Sequence, residues 1–298
     1  MTWTLTSDLD EYLAAAGGFL LSRPVQNTIQ LTEVEKLRAG GGSPYGEVAP
    51  LFGWWRSAAG SRAGPAGDAE NGVAEGTVQC ALLHTPPYPV LLTSLPEASA
   101  RPLARQLFER RRQLAGVNAE PGDAAAFAAA WGELAGVRAR EFRRSRLFRL
   151  AELMPPVSAP RGAARVGAAA DRDLLEAWFA AADEEIGDMA GHRAGVADDH
   201  ISYGGLTLWE VDGSAVSMAA VKRPAAAVVR VGPVYTPPDQ RRRGYAGAVT
   251  AAVSRAALDA GARHVVLFTD LANPTSNALY QRLGYRPVAD RVVLSFDG

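Results

Sequence analysis

Three consecutive arginines, Arg241, Arg242 and Arg243, stand immediately before Gly244 in the stretch VYTPPDQRRRGYAGAVTAAV, residues 234–253. The whole chain carries a formal net charge of −1, so this run is a local feature and not bulk basicity. A basic glycine turn that enters an alanine-rich helical pattern suits an anion. The first N–H groups of a helix lack partners within it, and the helix dipole adds positive potential there. Successive N–H groups that converge in a turn form a concave nest for anionic oxygens. Gly244 permits a tight turn, and the small Ala246 adds no bulk above it. Taken alone, RRRG is also what a solvated basic loop before an ordinary helix looks like.

A second set of residues lies in NPTSNALYQRLG, residues 273–284. Seven residues at about 100° each return to nearly the same helix face, about 10 Å along the axis. Asn273 and Tyr280 therefore look the same way. A phenol with an ordinary pKa near 10 stays protonated at neutral pH, as a general acid must. The plainer reading makes Tyr280 a core residue, and Asn273 a helix cap ahead of Pro274. No general base declares itself. Glu185, near the end of a helix and before a glycine-containing loop, and Asp270, at the end of a strand, are the candidates, with Glu184 and Glu210 weighed beside them. Each serves equally well as a surface charge or cap.

These residues need a scaffold. In the C-terminal half the pattern predicts a strand at 164–168 and a helix over DLLEAWFAAADEEIG. A hairpin follows at 206–224 around Asp212 and Gly213, a pair suited to a tight turn. AAVVRVGPVYT is a long strand interrupted by Gly232 and Pro233, which implies a bulge or an edge, because proline cannot donate to a ladder. The basic turn, a helix at 244–260, a buried strand HVVLFT, the 273–284 helix and a last strand ADRVVLSF complete the half. The N-terminal half shows the same order: PVLLT at 89–93, a helix at 98–112, a short strand near 116, a helix at 123–134 and a strand at 146–153. Its strand-to-helix turn, SLPEAS, has no glycine, and its Glu97 would occupy the positive end of the helix itself. Only the second copy is equipped for an anion. The proline-rich stretch MPPVSAPRGAAR reads as a linker, giving domains at 1–153 and 165–298 joined by residues 154–164.

RRRGYA, residues 241–246, fits the R/Q-x-x-G-x-G/A signature of the GNAT acetyltransferase superfamily, and NPTSNALYQRLGYRPV resembles that family's last helix and following turn. The resemblance covers roughly 164–298, and in layout the chain is similar to tandem GNAT proteins in which one copy has lost cofactor binding. It implies an α/β (α+β) fold of two GNAT-like domains, each a mixed, mostly antiparallel sheet flanked by helices. It also implies that backbone N–H groups of Arg241, Arg242, Arg243, Gly244, Tyr245 and Ala246 hold the pyrophosphate of acetyl-CoA. Val234, Tyr235 and Thr236 pair with the pantetheine amides, Asn273 hydrogen-bonds that arm, and Tyr280 protonates the departing thiolate. Arg242 departs from the pattern, since family members often have glycine there.

The remaining composition sets limits. Length predicts two domains at about 150 residues each. No apolar run approaches the roughly 20 residues of a membrane span, and the acidic start lacks the layout of a secretory signal. Cys80, the only cysteine, reads as a small hydrophobe on a strand, and a chain without disulfides fits the cytoplasm. The four histidines show no paired spacing, so no metal is expected. Lys36 and Lys222 are the only lysines, which reads as composition. The leading function is acetyl transfer from acetyl-CoA to a primary amine of a small molecule or peptide, by a monomer or homodimer. Two alternatives keep the fold: an aminoacyl-tRNA or carrier-protein donor, and a CoA-binding module without catalysis. Residues 101–149 hold eleven arginines against five acids, but no aromatic stacking pattern accompanies them, which disfavours nucleic acid.

Overall fold

The computed structural model describes residues 2–39, 48–57, 76–187 and 194–297. The first elements are β1 (Thr2–Thr6), α1 (Leu9–Ser22), α2 (Thr28–Ala39), β2 (Leu51–Arg56), β3 (Val78–His84) and β4 (Val90–Leu92). Then come α3 (Ala100–Glu109), β5 (Gly116–Ala119), α4 (Pro121–Ala135), β6 (Arg138–Leu150) and β7 (Ala163–Val166). The chain continues with α5 (Arg172–Ile186), α6 (Val196–Ser202), β8 (Leu206–Val211), β9 (Ser214–Val221) and β10 (Val228–Tyr235). It ends with α7 (Tyr245–Asp259), β11 (His264–Asp270), α8 (Pro274–Arg282) and β12 (Tyr285–Asp297).

Contacts divide the chain into two compact units. The first comprises residues 1–23, 40–144 and 290–298, and the second 24–39 and 145–289. The change of unit falls inside β6, at 144/145, and not in the proline-rich stretch at 154–164. The sequence pattern predicts that strand from 146 onward, whereas it begins at Arg138. The additional part, RAREFRR, is mostly exposed and charged, so it lacks the apolar alternation that marks a strand. Two exchanges along the chain are also invisible in sequence: α2 belongs to the second unit, and residues 290–297 of β12 belong to the first.

Each unit is a mixed, mostly antiparallel sheet flanked by helices, the fold class the sequence implies. In the first, the order is β1-β2-β3-β4-β5 followed by the end of β12, with β4 and β5 the parallel pair. In the second, the order is β6-β11-β10-β9-β8-β7, with β10 and β11 the parallel pair. In each, the helix between the parallel strands (α3 or α7) provides the long crossover that a parallel pair requires. The first unit buries Trp55, Leu82, Leu92, Leu103, Phe127 and Cys80 in one core. Burial pushes the Cys80 thiol up to about 12, so it stays an inert hydrophobe.

The second unit has a core on each sheet face. On one, α7 packs Tyr245, Val249 and Val253 against Val229, Val231 and Leu267. The alanines of this helix let it approach the strands closely, and a methyl group on Gly247 would stand only 3.2 Å from Leu279 of α8. On the other face, α5 packs Leu175, Trp178 and Phe179 on Leu208, Met218, Ala220 and Tyr235. Fully burying one such large side chain contributes about 1.5–3 kcal/mol, so the two faces together fix where the strand ends lie.

Candidate functional site

The parallel strands of the second unit part company near their C-terminal ends. Val228, Val229, Arg230 and Val231 pair in register with His264, Val265, Val266 and Leu267, and the pairing stops there. Beyond that point β10 keeps its other neighbour, with Val234 opposite Ala219 and Tyr235 opposite Met218 after a register shift. β11 likewise stays paired with β6 as far as Asp270 opposite Ser145. The shift falls at Gly232 and Pro233, where proline supplies no N–H to a ladder. The bulge read from the sequence is therefore what separates the strands. Ser217, fully buried, donates its hydroxyl to the Tyr235 carbonyl at 3.0 Å and stands 2.8 Å from the Thr236 hydroxyl, bracing the end of β10. Sequence reasoning does not single it out, although a serine among apolar strand residues is the signal that could have found it.

The basic turn follows directly. A short 3₁₀ turn, Pro238–Gln240, leads to Arg241, and both Arg242 (φ +63°) and Gly244 (φ +85°) adopt left-handed backbone. Gly244 is the N-cap of α7; no side chain caps this end, and no acidic residue lies in its first turn. A methyl group on Gly244 would find its nearest neighbour in Pro160 at 3.9 Å, so glycine is required there by conformation and not by lack of space. Arg242 takes a similar conformation without glycine. The arginine side chains are exposed. Arg241 donates to the Thr236 carbonyl at 2.9 Å and is ion-paired with Glu185, while Arg243 donates to the Asp239 carbonyl at 3.2 Å. These contacts hold the turn against the end of β10, and the start of α7 stays without a side-chain cap.

Tyr280 lies on α8, only 8% exposed, with its ring edge-on to Tyr285 at 6.1 Å. Its hydroxyl has no hydrogen-bond partner among the described residues, and burial pushes its pKa up to about 12. Asn273 caps α8: its side-chain oxygen accepts from the Ser276 N–H at 3.0 Å. Its amide group keeps its donors for another partner. Asn277, which sequence reasoning does not single out, ties the two ends of this turn by donating to the carbonyls of Asp270 and Asn273. The carboxylate of Asp270 accepts from the Ala272 N–H at 2.7 Å and is thus engaged in its own turn. Glu210 is held by Arg165 in a network with Asp171. The glycine-containing loop expected after Glu185 lies largely outside the described residues, at 188–193.

The first unit closes both features that the second leaves open. Arg291, 6% exposed, donates to the carbonyl of Leu92 at the end of β4 and to the carbonyl and side-chain oxygen of Asn118 on β5. A buried guanidinium thus spans the ends of that parallel pair. At the following turn the Leu95 N–H donates to the carboxylate of Asp123 at 2.9 Å. Glu97, the residue expected to fill this role, is exposed in the 3₁₀ turn beside it. The anion at the first unit's turn is the protein's own.

Among the described residues no three metal-ligating side chains cluster, and no helix is long and apolar enough to cross a membrane. Residues 168–285 match the model of the Acetyltransferase (GNAT) family. No curated protein matches the chain significantly. Among solved structures it is similar to a GCN5-related N-acetyltransferase from Kribbella flavida, at 23% identity and a TM-score of 0.53, covering 74% of this chain and 87% of that one. A GCN5-related N-acetyltransferase from Sphaerobacter thermophilus aligns over 98% of this chain and 94% of its own, at 16% identity and a TM-score of 0.56. A tandem GNAT protein from the clavulanic acid biosynthesis pathway aligns over 99% and 98%, at 15% identity and a TM-score of 0.54. These three likenesses are of fold. The family match itself covers residues 168–285.

Proposed function

We propose that the GNAT domain of residues 168–285 moves an acetyl group from acetyl-CoA to a primary amine by direct attack in a ternary complex. The observation that carries this reading is the uncapped, left-handed entrance to α7 placed beside the parted ends of β10 and β11. Backbone N–H groups from Arg241 to Ala246 receive the pyrophosphate, each charge-assisted hydrogen bond contributing about 1.5–3 kcal/mol. Arg241 acts there through its backbone, since its side chain is engaged by Glu185. Val234, Tyr235 and Thr236 offer a strand edge to the pantetheine amides, and the free donors of Asn273 turn to the same arm. The first unit, with Arg291 and Asp123 in the corresponding places, binds no CoA and stands as a diverged copy.

In the reaction the amine nitrogen forms a bond to the thioester carbonyl carbon, and the carbon–sulfur bond breaks. The sulfur takes a proton from the Tyr280 hydroxyl, and solvent restores it. The amine must lose a proton. Asp270 and Glu185, the two carboxylates considered for this, are engaged at Ala272 and Arg241, so the reading gives that proton to water. Holding both reactants together supplies much of the acceleration. The test is thiol release from acetyl-CoA across a panel of amines. Amine-dependent release supports acetyl transfer; CoA binding without release by any amine would leave a binding module in its place.

A further inference from the structure

The proline-rich stretch at 154–164 separates no units. It lies wholly within the second and crosses the start of α7. Its entry is fixed at the turn after α8, where the Ala151 N–H donates to the Gly284 carbonyl at 3.1 Å and the Met154 N–H to the Leu283 carbonyl at 3.0 Å. The approach is close, since a methyl group on Gly284 would collide with the Glu152 carbonyl. Its exit is fixed at the hairpin of β8 and β9. The Arg161 carbonyl accepts from the Trp209 indole N–H at 2.9 Å, and the Arg161 side chain donates to Asp212 at 3.0 Å. Ala163 then pairs with Glu210 as β7 begins.

Between these anchors the chain runs along the first turn of α7. A methyl group on Gly244 would stand 3.9 Å from Pro160, and one on Gly247 would stand 3.7 Å from Pro156. The two glycines are three residues apart, about 4.5 Å along the axis. Tyr245 enters the core under α7, and Gly247, two residues on, lies about 200° round the helix from it. Pro156 therefore passes α7 on the side away from the sheet. Proline fixes φ and needs no partner for an N–H, which suits a stiff segment at the surface. Val157, between the two prolines, is fully exposed and belongs to neither core of the second unit. A lone exposed valine is ordinary on a protein surface. This one is carried by a segment held at both ends, beside the turn proposed for the pyrophosphate.

We infer that residues 156–160 are the wall of the nucleoside end of the CoA site, with Pro160 and Val157 in apolar contact with the adenosine. The inference rests on the acetyl-transfer reading, which sets the pyrophosphate at Arg241 to Ala246. A pyrophosphate diester has two arms. The pantetheine arm takes the gap between β10 and β11. The sheet and the core under α7 fill the inner side, so the adenosine arm leaves along the outer one, where Pro160 flanks the turn at Gly244. A purine has a broad apolar face, and contact with a proline ring and an aliphatic side chain removes that face from water. A segment already stiff and anchored at both ends loses little freedom when a ligand settles on it.

The test pairs CoA with 4′-phosphopantetheine, which keeps the pantetheine arm and one phosphate but has no adenosine. Val157 is exposed and Pro160 half-buried, so Val157→Ser combined with Pro160→Ala should leave Tm nearly unchanged. By calorimetry the double variant should bind CoA more weakly by about fivefold, the loss expected when one aliphatic contact is partly removed. Its affinity for 4′-phosphopantetheine should match that of the wild type. In protein labelled at the valine methyl groups, the Val157 methyls should show Overhauser contacts to the adenine protons of bound CoA, assigned by their absence in Val157→Ser. Unchanged CoA affinity in the double variant, equal losses for both ligands, or no contact between the Val157 methyls and adenine overturns the inference. If 4′-phosphopantetheine binds too weakly to compare, the methyl contacts decide. Failure of the wild type to bind CoA strikes the acetyl-transfer reading together with this inference. Wild-type binding of CoA with an indifferent double variant strikes this inference alone.

Discussion

The guanidinium of Arg291 donates to the Leu92 carbonyl at 2.9 Å, and the same nitrogen donates to the Asn118 carbonyl at 2.7 Å. Leu92 ends β4 and Asn118 lies on β5, so one buried side chain links the two parallel strands of the first unit. The corresponding strands of the second unit pair only as far as Val231 and Leu267. The first unit thus closes the gap that the second leaves open, which is why the proposed CoA site is placed in the second unit alone.

Arg291→Met should therefore lower stability without creating a second CoA site. It removes the donor to two carbonyls and an amide oxygen, and leaving a buried acceptor unsatisfied costs about 1–3 kcal/mol for each group. Tm should fall by several degrees, while calorimetry should give one CoA site of unchanged affinity. A second site in the variant would mean that Arg291 alone had blocked a competent first copy.

Gly244 separates conformation from crowding. Its φ of +85° is unfavourable for a β-branched residue, whereas asparagine tolerates left-handed backbone. Since space beside it is open to Pro160 at 3.9 Å, Gly244→Val should weaken CoA binding at least tenfold and Gly244→Asn much less. Glu97→Gln, in the other unit's turn, should leave CoA affinity as it was. Equal loss in the valine and asparagine variants would point to crowding of the ligand and not to backbone geometry.

What is legible in the sequence is what local chemistry encodes. RRRG before an alanine-rich run, the Gly232 and Pro233 interruption, and Asn273 before Pro274 each mark a backbone event by residue type alone. The structure has each of them at the expected place. What is illegible depends on partners distant in sequence. Nothing in TIQLTEVEKLRA tells that α2 packs with the second unit, because a helix pattern does not name its neighbour. Arg291 looks like one more arginine in a strand until Leu92 and Asn118, 199 and 173 residues away, are found around it. Asp123, and not Glu97, takes the turn at Leu95 for the same reason.

Lys222 should carry a stability cost. Its pKa is lowered to about 8, first by burial and then by Arg230. A lysine whose folded pKa lies below its unfolded value near 10.5 destabilises the fold in full below about pH 8. That cost is relieved as pH rises from about 8 to 10.5, where the unfolded chain holds the proton and the folded protein does not. Lys222→Met should thus raise Tm at pH 7, with the gain shrinking by pH 10. A fall in Tm at pH 7 would mean that the ammonium is stabilised by its surroundings.

Tyr280 distinguishes an enzyme from a binder. The residue is buried and its hydroxyl has no partner among the described residues, so Tyr280→Phe keeps the ring packed on Tyr285 and removes only the proton donor. CoA affinity should stay the same, and Tm should hold or rise slightly at pH 7. If Tyr280 protonates the thiolate, turnover falls by roughly 10²–10⁴, the usual contribution of a positioned general acid, or about 3–5 kcal/mol of barrier. The raised pKa also has a stability consequence. The neutral phenol suits the fold, so its contribution is complete below about pH 10 and is lost as pH climbs toward about 12. Wild-type stability should fall over that window, and the phenylalanine variant should lose less. Measuring kcat, CoA affinity and alkaline unfolding on both proteins separates the two roles. Unchanged kcat with the altered alkaline profile would make Tyr280 a core residue alone, and a loss of kcat with intact affinity and stability would make it the acid.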